Sequence, residues 1–491
     1  MTDLTHIDTV TKVEVAAQED VEKISQTDAG FDKQATTKLL RKIDLAVIPL
    51  VTILYLLSFL DRANIGNARL AGLEEDLGMK GLDYNIAVVA FYPLYIISEV
   101  PSNLILKKLK PSTWIPTIMI AWSICNTLMG IVHNFGGLIA ARIFLGLTEG
   151  GLFPGVAFYI TMWYKRHECG YRISLVYSAA TVAGAFGGLL ARGIMEMGGV
   201  AGRPGWSWIF ILEGSATFLV AVAAYLLMTD YPSEAKFLTP AERVEVARRL
   251  AEDRNVLAEE FDIKYFYHAI QDWKIWLHVL ITICTFTPVY SIALFLPTIV
   301  STLGYANEKA QLMSVPPYVV ACFFCISTGI LADRLRTRGV FMLGASALGI
   351  WGMIMTVAST NYHVKYAGCV LAAAGCYSTV PQGVAWNSGN VGGAVKRSVA
   401  IALHVGCGNI GGVISSFIFL PKDSPRFVPG FCILIALLSV AFLGSLVMTI
   451  YLRQENARRD REYKAPEDYT EAEKRLEREK GDSATFFRYT V

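Results

Sequence analysis

The sequence predicts an all-α membrane protein of twelve transmembrane helices, divided six plus six, and three observations predict it. Hydrophobic residues make up 53% of the 491 positions and charged ones 18%, with a mean hydropathy of +0.42, which is far more apolar than a soluble chain of this length. The apolar residues gather into blocks of about 20, the length a helix needs to cross a ~30 Å hydrocarbon core. A polar stretch near the middle separates two sets of six blocks.

The first set covers 43–67, 84–106, 113–132, 135–159, 174–195 and 208–228, and the second 275–300, 312–331, 340–359, 366–386, 398–420 and 431–451. These blocks define a first bundle at 43–229, a linker at 230–274, a second bundle at 275–453, and polar tails at 1–42 and 454–491. The N-terminal tail lacks the apolar core after a basic start that a cleavable signal carries, and its polar composition predicts disorder. Within the linker, Thr239-Pro240-Ala241-Glu242 has the form of a helix start, predicting a helix to Arg254.

Lys and Arg near the block ends set the orientation. Lys38, Arg41 and Lys42 precede the first block, Lys107, Lys108 and Lys110 follow the second, Lys165, Arg166 and Arg172 follow the fourth, and Arg334, Arg336 and Arg338 follow the eighth. Both termini are therefore expected in the cytoplasm. A formal charge of +2 gives no reason to expect a nucleic-acid partner. Cys322 and Cys325 have the CxxC spacing, but they sit in an apolar helix without His or a second pair, so packing is expected and no metal or cofactor. No nucleophile motif or catalytic loop points to an enzyme.

Function shows first in four charges inside the blocks: Asp61 and Arg62 in the first, Arg142 and Glu149 in the fourth. Each costs on the order of 3 kcal/mol at that depth, so such residues usually line a cavity or an ion path. Arg142 and Glu149 are seven residues apart, nearly two turns, which puts them on one face and about 10 Å apart along the axis. An Arg fork suits a carboxylate ligand, and a buried Glu can be neutralised by a proton. The alternative is a fixed salt bridge between the two. Asp61 and Arg62 point about 100° apart, so one is expected to face the cavity and the other a neighbouring helix, unless the pair merely anchors the span at the membrane edge.

Further polar candidates are Tyr92 and Tyr95 in the second block, Tyr290 in the seventh, Gln382, Trp386 and Asn387 in the tenth, and His404 and Asn409 in the eleventh. Each is suited either to substrate contact or to an interhelical hydrogen bond, and His404 is also a titratable candidate. Glycines in the fourth, fifth and eleventh blocks predict close helix contact.

The run Gly329-Ile330-Leu331-Ala332-Asp333-Arg334-Leu335-Arg336-Thr337-Arg338 resembles the G-x-L-a-D-r-x-x-r-r signature of the major facilitator superfamily. The first copy of that signature is replaced here by Glu99-Val100-Pro101-Ser102-Asn103 and Lys107-Lys108-Leu109-Lys110-Pro111-Ser112. That departure resembles the anion:cation symporter branch, and within it the fungal allantoate permease group, which includes nicotinate, pantothenate and biotin transporters. The resemblance implies two pseudo-symmetric six-helix bundles that rock about a central site. It also implies that Arg142 holds a substrate carboxylate, that Glu149 takes part in proton coupling, that Asp61 is a second proton-titrating group and that Arg62 is a second anion contact or gate.

By the same resemblance Asp333 has a mechanical role, with its carboxylate expected to cap the eleventh span near Lys396-Arg397-Ser398 while Arg334 and Arg338 bridge to acids of neighbouring loops. The expected function is proton-coupled uptake of a small carboxylated solute across a fungal plasma membrane, with the vacuolar membrane as the alternative. A facilitator or antiporter of an uncharged or cationic solute, and a nutrient receptor on the same fold, are the competing readings.

Overall fold

A computed structural model describes residues 32–254, 263–302, 307–419, 423, 426–465, 468–478 and 480–491, which form helices joined by short turns with no strand among them. The first helix, α1 (Lys33–Leu70), is capped by Asp32, whose carboxylate accepts from Ala35 N at 2.6 Å. It starts inside the expected 1–42 tail because Leu39 and Ile43, one turn apart, are both buried and give those residues an apolar face. The remainder of that tail, 1–31, lies outside the described residues.

The second span is broken into α3 (Asp83–Val89) and α4 (Tyr92–Lys108), after a single turn, α2 (Leu73–Asp76). Pro93 causes the break: it has no N–H for the carbonyl four residues back, and its ring displaces that turn. The third span is α5 (Pro111–Met129). The fourth is also broken, into α6 (Phe135–Glu149) and α7 (Leu152–Thr161), at the pair Gly150-Gly151. Next come α8 (Cys169–Met195) and α9 (Gly205–Leu227).

The linker holds α10 (Pro240–Arg254) and α11 (Ile263–Gln271). Thr239 and Glu242 form the reciprocal capping pair: Thr239 N donates to the Glu242 carboxylate at 2.8 Å and Glu242 N donates to the Thr239 hydroxyl at 3.3 Å. The second half has α12 (Trp273–Thr302), α13 (Asn307–Leu335), α14 (Gly339–Ala358) and α15 (Tyr362–Asn390). It continues with α16 (Ala394–Gly408), α17 (Ile410–Ser415), α18 (Val428–Glu462) and α19 (Glu471–Arg478).

Ten of these elements, counting α3 with α4, α6 with α7 and α16 with α17 as single spans, are long and apolar enough to cross a membrane. The expected third and tenth spans, α5 and α15, fall short of that hydropathy because each buries polar side chains against its neighbours, Ser123 and Asn126 in α5 among them. Helix α5 lies between α6 and α9, and α15 between α13 and α14; in α15 Gln382, Asn387 and Ser388 are all buried.

Helices of the first half pack mainly on one another, as do those of the second, and two seams join them: α8 against α13 and α4 against α16. Helix α18 runs beyond the expected limit at 453, to Glu462, and 481–491 then fold back onto the helix ends. There Arg459 donates to the carbonyls of Asp482, Ala484 and Phe487. Asp482 takes Lys396 at 2.6 Å and also Lys274, while Trp386 Nε1 donates to Thr490 O at 2.9 Å.

Candidate functional site

The two breaks near the middle of the spans build the site. Where α3 ends, the carbonyls of Ala87 and Val88 lose their intrahelical donors, and Arg142 from α6 donates to both, Nε at 3.3 Å and Nη2 at 3.4 Å. Arg142 is 1% exposed, and its Nη1 has no hydrogen-bond partner. At the other break Glu149 is the last residue of α6, where a Cβ on Gly150 would stand 2.2 Å from Ser98 Oγ and 2.4 Å from Tyr95 O. Only glycine there lets α4 approach the Glu149 turn.

Glu149 does not pair with Arg142. Its Oε1 accepts from Arg62 Nη2 at 2.7 Å and from Ser58 Oγ at 2.7 Å, while Oε2 is buried without a partner. Arg62 also donates Nη1 to the Tyr290 hydroxyl at 2.8 Å, which links the two halves. Tyr290 donates in turn to Asn409 Oδ1, and Asn409 Nδ2 donates to Glu99 at 3.4 Å. The Phe91 ring lies between the two guanidiniums, 5.2 Å from Arg62 Cζ and 5.1 Å from Arg142 Cζ, and Tyr95 lies 4.8 Å from Arg62 Cζ. Aromatic faces of this kind favour cations. Tyr92 stands edge-on to Tyr290 with ring centres 6.0 Å apart.

Arg62, Arg142, Glu149, Tyr92, Tyr95, Tyr290 and Asn409 thus come together around one point. Asp61 faces away, into the first half, where it accepts from Asn126 at 2.7 Å, Thr217 at 2.9 Å and Trp122 at 3.1 Å. Of the adjacent pair, then, Arg62 faces the centre and Asp61 its neighbouring helices α5 and α9. His404 has its Nε2 2.8 Å from the Thr282 hydroxyl and its ring centre 6.1 Å from that of His278. Asn387 donates to Ala400 O at 3.2 Å, and Gln382 accepts from Arg338 at 3.5 Å, so neither reaches the Arg62 network.

The Asp333 expectation needs correction. Its carboxylate meets the first turn of α8, in the fifth span rather than the eleventh, accepting from Tyr171 N at 2.6 Å. The reason is the α8–α13 seam, where Gly170 has no side chain to strike Arg338. Arg338 is buried and pairs with Asp333 itself at 2.6 Å rather than with a neighbouring loop. Arg334 is exposed, with no ion pair among the described residues.

Sequence reasoning missed Glu99 as a site residue, although a lone carboxylate in an apolar block was a signal, and it missed Ser58 and Phe91, which carry no such signal. It also missed Glu213, which accepts from Asn64 at 2.8 Å.

A sequence model of the Major Facilitator Superfamily matches residues 51–416. An uncharacterized transporter of Schizosaccharomyces pombe is 34% identical over 440 residues, covering 89% of this chain and 88% of its own. The MFS-type transporter efuF of Hormonema carpetanum is 34% identical, covering 93% and 94%. Among solved structures, the proton:xylose symporter XylE superposes with a TM-score of 0.62 at 14% identity, over 83% of this chain and 96% of that one. The E. coli fucose:proton symporter FucP gives 0.60 at 14%, over 82% and 98%. Identities this low speak for the fold alone.

Proposed function

We propose, from the premise that this chain belongs to the major facilitator superfamily, that it is a proton-coupled symporter of a small carboxylated organic solute. It is a multi-pass membrane transporter and not an enzyme; the solute and the coupling are the inference, as is its narrower placement with the fungal allantoate permease group. One observation carries it: a part-buried guanidinium, Arg62, and a fully buried one, Arg142, flank Phe91, and Arg142 keeps a free Nη1 with no carboxylate beside it among the described residues. A buried cation met by two long carbonyl bonds and a ring face, with no counter-charge, is stabilised further by an anion.

A solute carboxylate that binds Arg142 and reaches Arg62 past the edge of Phe91 competes with Glu149 for Arg62. Glu149, once displaced, is an unpaired buried carboxylate, and a proton removes that cost. Solute and proton therefore enter together and leave together. The helices of 43–229 and 275–453 rock about this centre, and the Tyr290 link between Arg62 and Asn409 reports the closed position. The tails and the linker face the cytoplasm of a plasma-membrane protein, and Asp333 with Arg338 closes that side.

Current on a supported membrane of reconstituted protein tests this reading, with an inward proton gradient and nicotinate, pantothenate, biotin and allantoate beside their neutral isosteres. The expected result is a signal from a carboxylate but not its amide, abolished in Arg142→Ala and freed of its proton dependence in Glu149→Gln. Equal currents from neutral isosteres, or normal transport by Arg142→Ala, would turn the assignment to a facilitator or antiporter. No transport alongside specific binding would turn it to a receptor.

A further inference from the structure

Glu99 is a fully buried carboxylate in the middle of α4, at the seam with α16. Its Oε1 receives one long bond, 3.4 Å from Asn409 Nδ2, and its Oε2 has no partner. No cation lies within ion-pairing distance of it among the described residues. A Cβ on Gly406 of α16 would stand 2.2 Å from Oε2, so the carboxyl fills the space a side chain would take. A bare carboxylate in such a place costs several kcal/mol, and a neutral acid costs less.

The charged and titratable groups facing Glu99 are Arg62 from α1, Tyr95 from its own helix, Tyr290 from α12 and Cys407 from α16. From α6, Glu149 lies beyond Arg62. The other elements packed on α4, namely α5, α7 and α17, carry no charged residue. The bonds among these groups run one way: Arg62 donates to Tyr290, Tyr290 to Asn409 and Asn409 to Glu99. Arg62 donates to Glu149 on its other side, so the two carboxylates sit at the two ends of a network whose donors diverge from Arg62 and which crosses the interface between the halves.

We propose that Glu99 is a second proton-carrying carboxylate of the transport cycle, protonated while the α4–α16 seam is closed and releasing its proton to water when the seam opens. This rests on the proton-coupled reading above. It adds a carrier whose release is tied to the motion of the halves rather than to the solute.

The test is the infrared carbonyl band of neutral carboxylic acid in purified protein at neutral pH, compared among wild type, Glu99→Gln, Glu149→Gln and Gly406→Ala. Part of the wild-type band is expected to vanish in Glu99→Gln, persist in Glu149→Gln and shift in Gly406→Ala, which crowds the carboxyl without removing it. In a base jump, Glu99→Gln is expected to release about one proton fewer per molecule. An unchanged band in both Glu99→Gln and Gly406→Ala would overturn the proposal while leaving proton-coupled currents intact. Wild-type currents that carry no protons would instead remove the symport reading, and this proposal with it.

Discussion

Buried charge occurs at two levels of this molecule, and the two differ in how completely it is answered. At the helix ends Asp482 has both oxygens taken by lysines, Asp333 has one oxygen on Arg338 and the other on Tyr171 N, and Arg459 spends its donors on Glu455, three carbonyls and Tyr489. At the centre, Arg62 Nε, Arg142 Nη1, Glu149 Oε2 and Glu99 Oε2 are all buried without partners. Leaving such atoms unanswered costs on the order of 1–3 kcal/mol each. The ion pairs at the ends are complete in themselves, and those at the centre leave polar atoms open.

The largest expected effect falls on the incomplete level. Arg142→Ala should lower carboxylate transport roughly 100-fold, about 3 kcal/mol, since it removes a desolvated charged anchor; a loss under threefold in the current assay would mean that the free Nη1 is not a ligand site. Next, Gly150→Val should cost about 2 kcal/mol of stability, because the α4 backbone cannot retreat from Tyr95 O. Thermal unfolding of detergent-purified protein would show a lower midpoint, and an unchanged midpoint would mean the contact can relax.

The complete level should respond to pH and to neutralisation. Burial acts to raise the Asp482 carboxyl, but Lys274 and Lys396 outweigh it and hold the group down at about 2. Its contribution, on the order of 2 kcal/mol, is therefore full above about pH 4 and lost as pH falls through about 2. Hydrogen exchange over 481–491 should accordingly stay low at pH 5, and Asp482→Asn should raise it at every pH. Equal protection in the variant would show that Arg459 alone holds the segment. The smallest effect expected is from Asp333→Asn, about a tenfold fall in turnover with substrate affinity nearly unchanged, since it frees Tyr171 N and Arg338 without touching the centre. Unchanged turnover with weakened equilibrium binding would remove it from the gate.

Much of the fold was legible because the bilayer imposes a one-dimensional rule. A stretch of apolar residues long enough to span must be helical, as every backbone group has to be satisfied internally. The same rule made Asp61, Arg62, Arg142 and Glu149 conspicuous, since charge at that depth requires a reason. It did not report helix breaks, and it is weakest at α5 and α15, whose buried polar side chains lower their hydropathy.

The choice of partner was settled in three dimensions. Seven residues of spacing placed Arg142 and Glu149 on one face and left open whether they pair, but the break at Pro93 offered Arg142 two carbonyls while Arg62 reached Glu149 from another helix. Asp333 likewise met α8 rather than the eleventh span because Gly170 left room there. By itself the sequence determined which stretches are long and apolar enough to span a membrane and which of them carry charge, because hydrophobic burial acts on each segment independently. Only the tertiary structure decided which charges answer one another and which remain open, because a hydrogen bond depends on ångström distances between helices far apart in the chain.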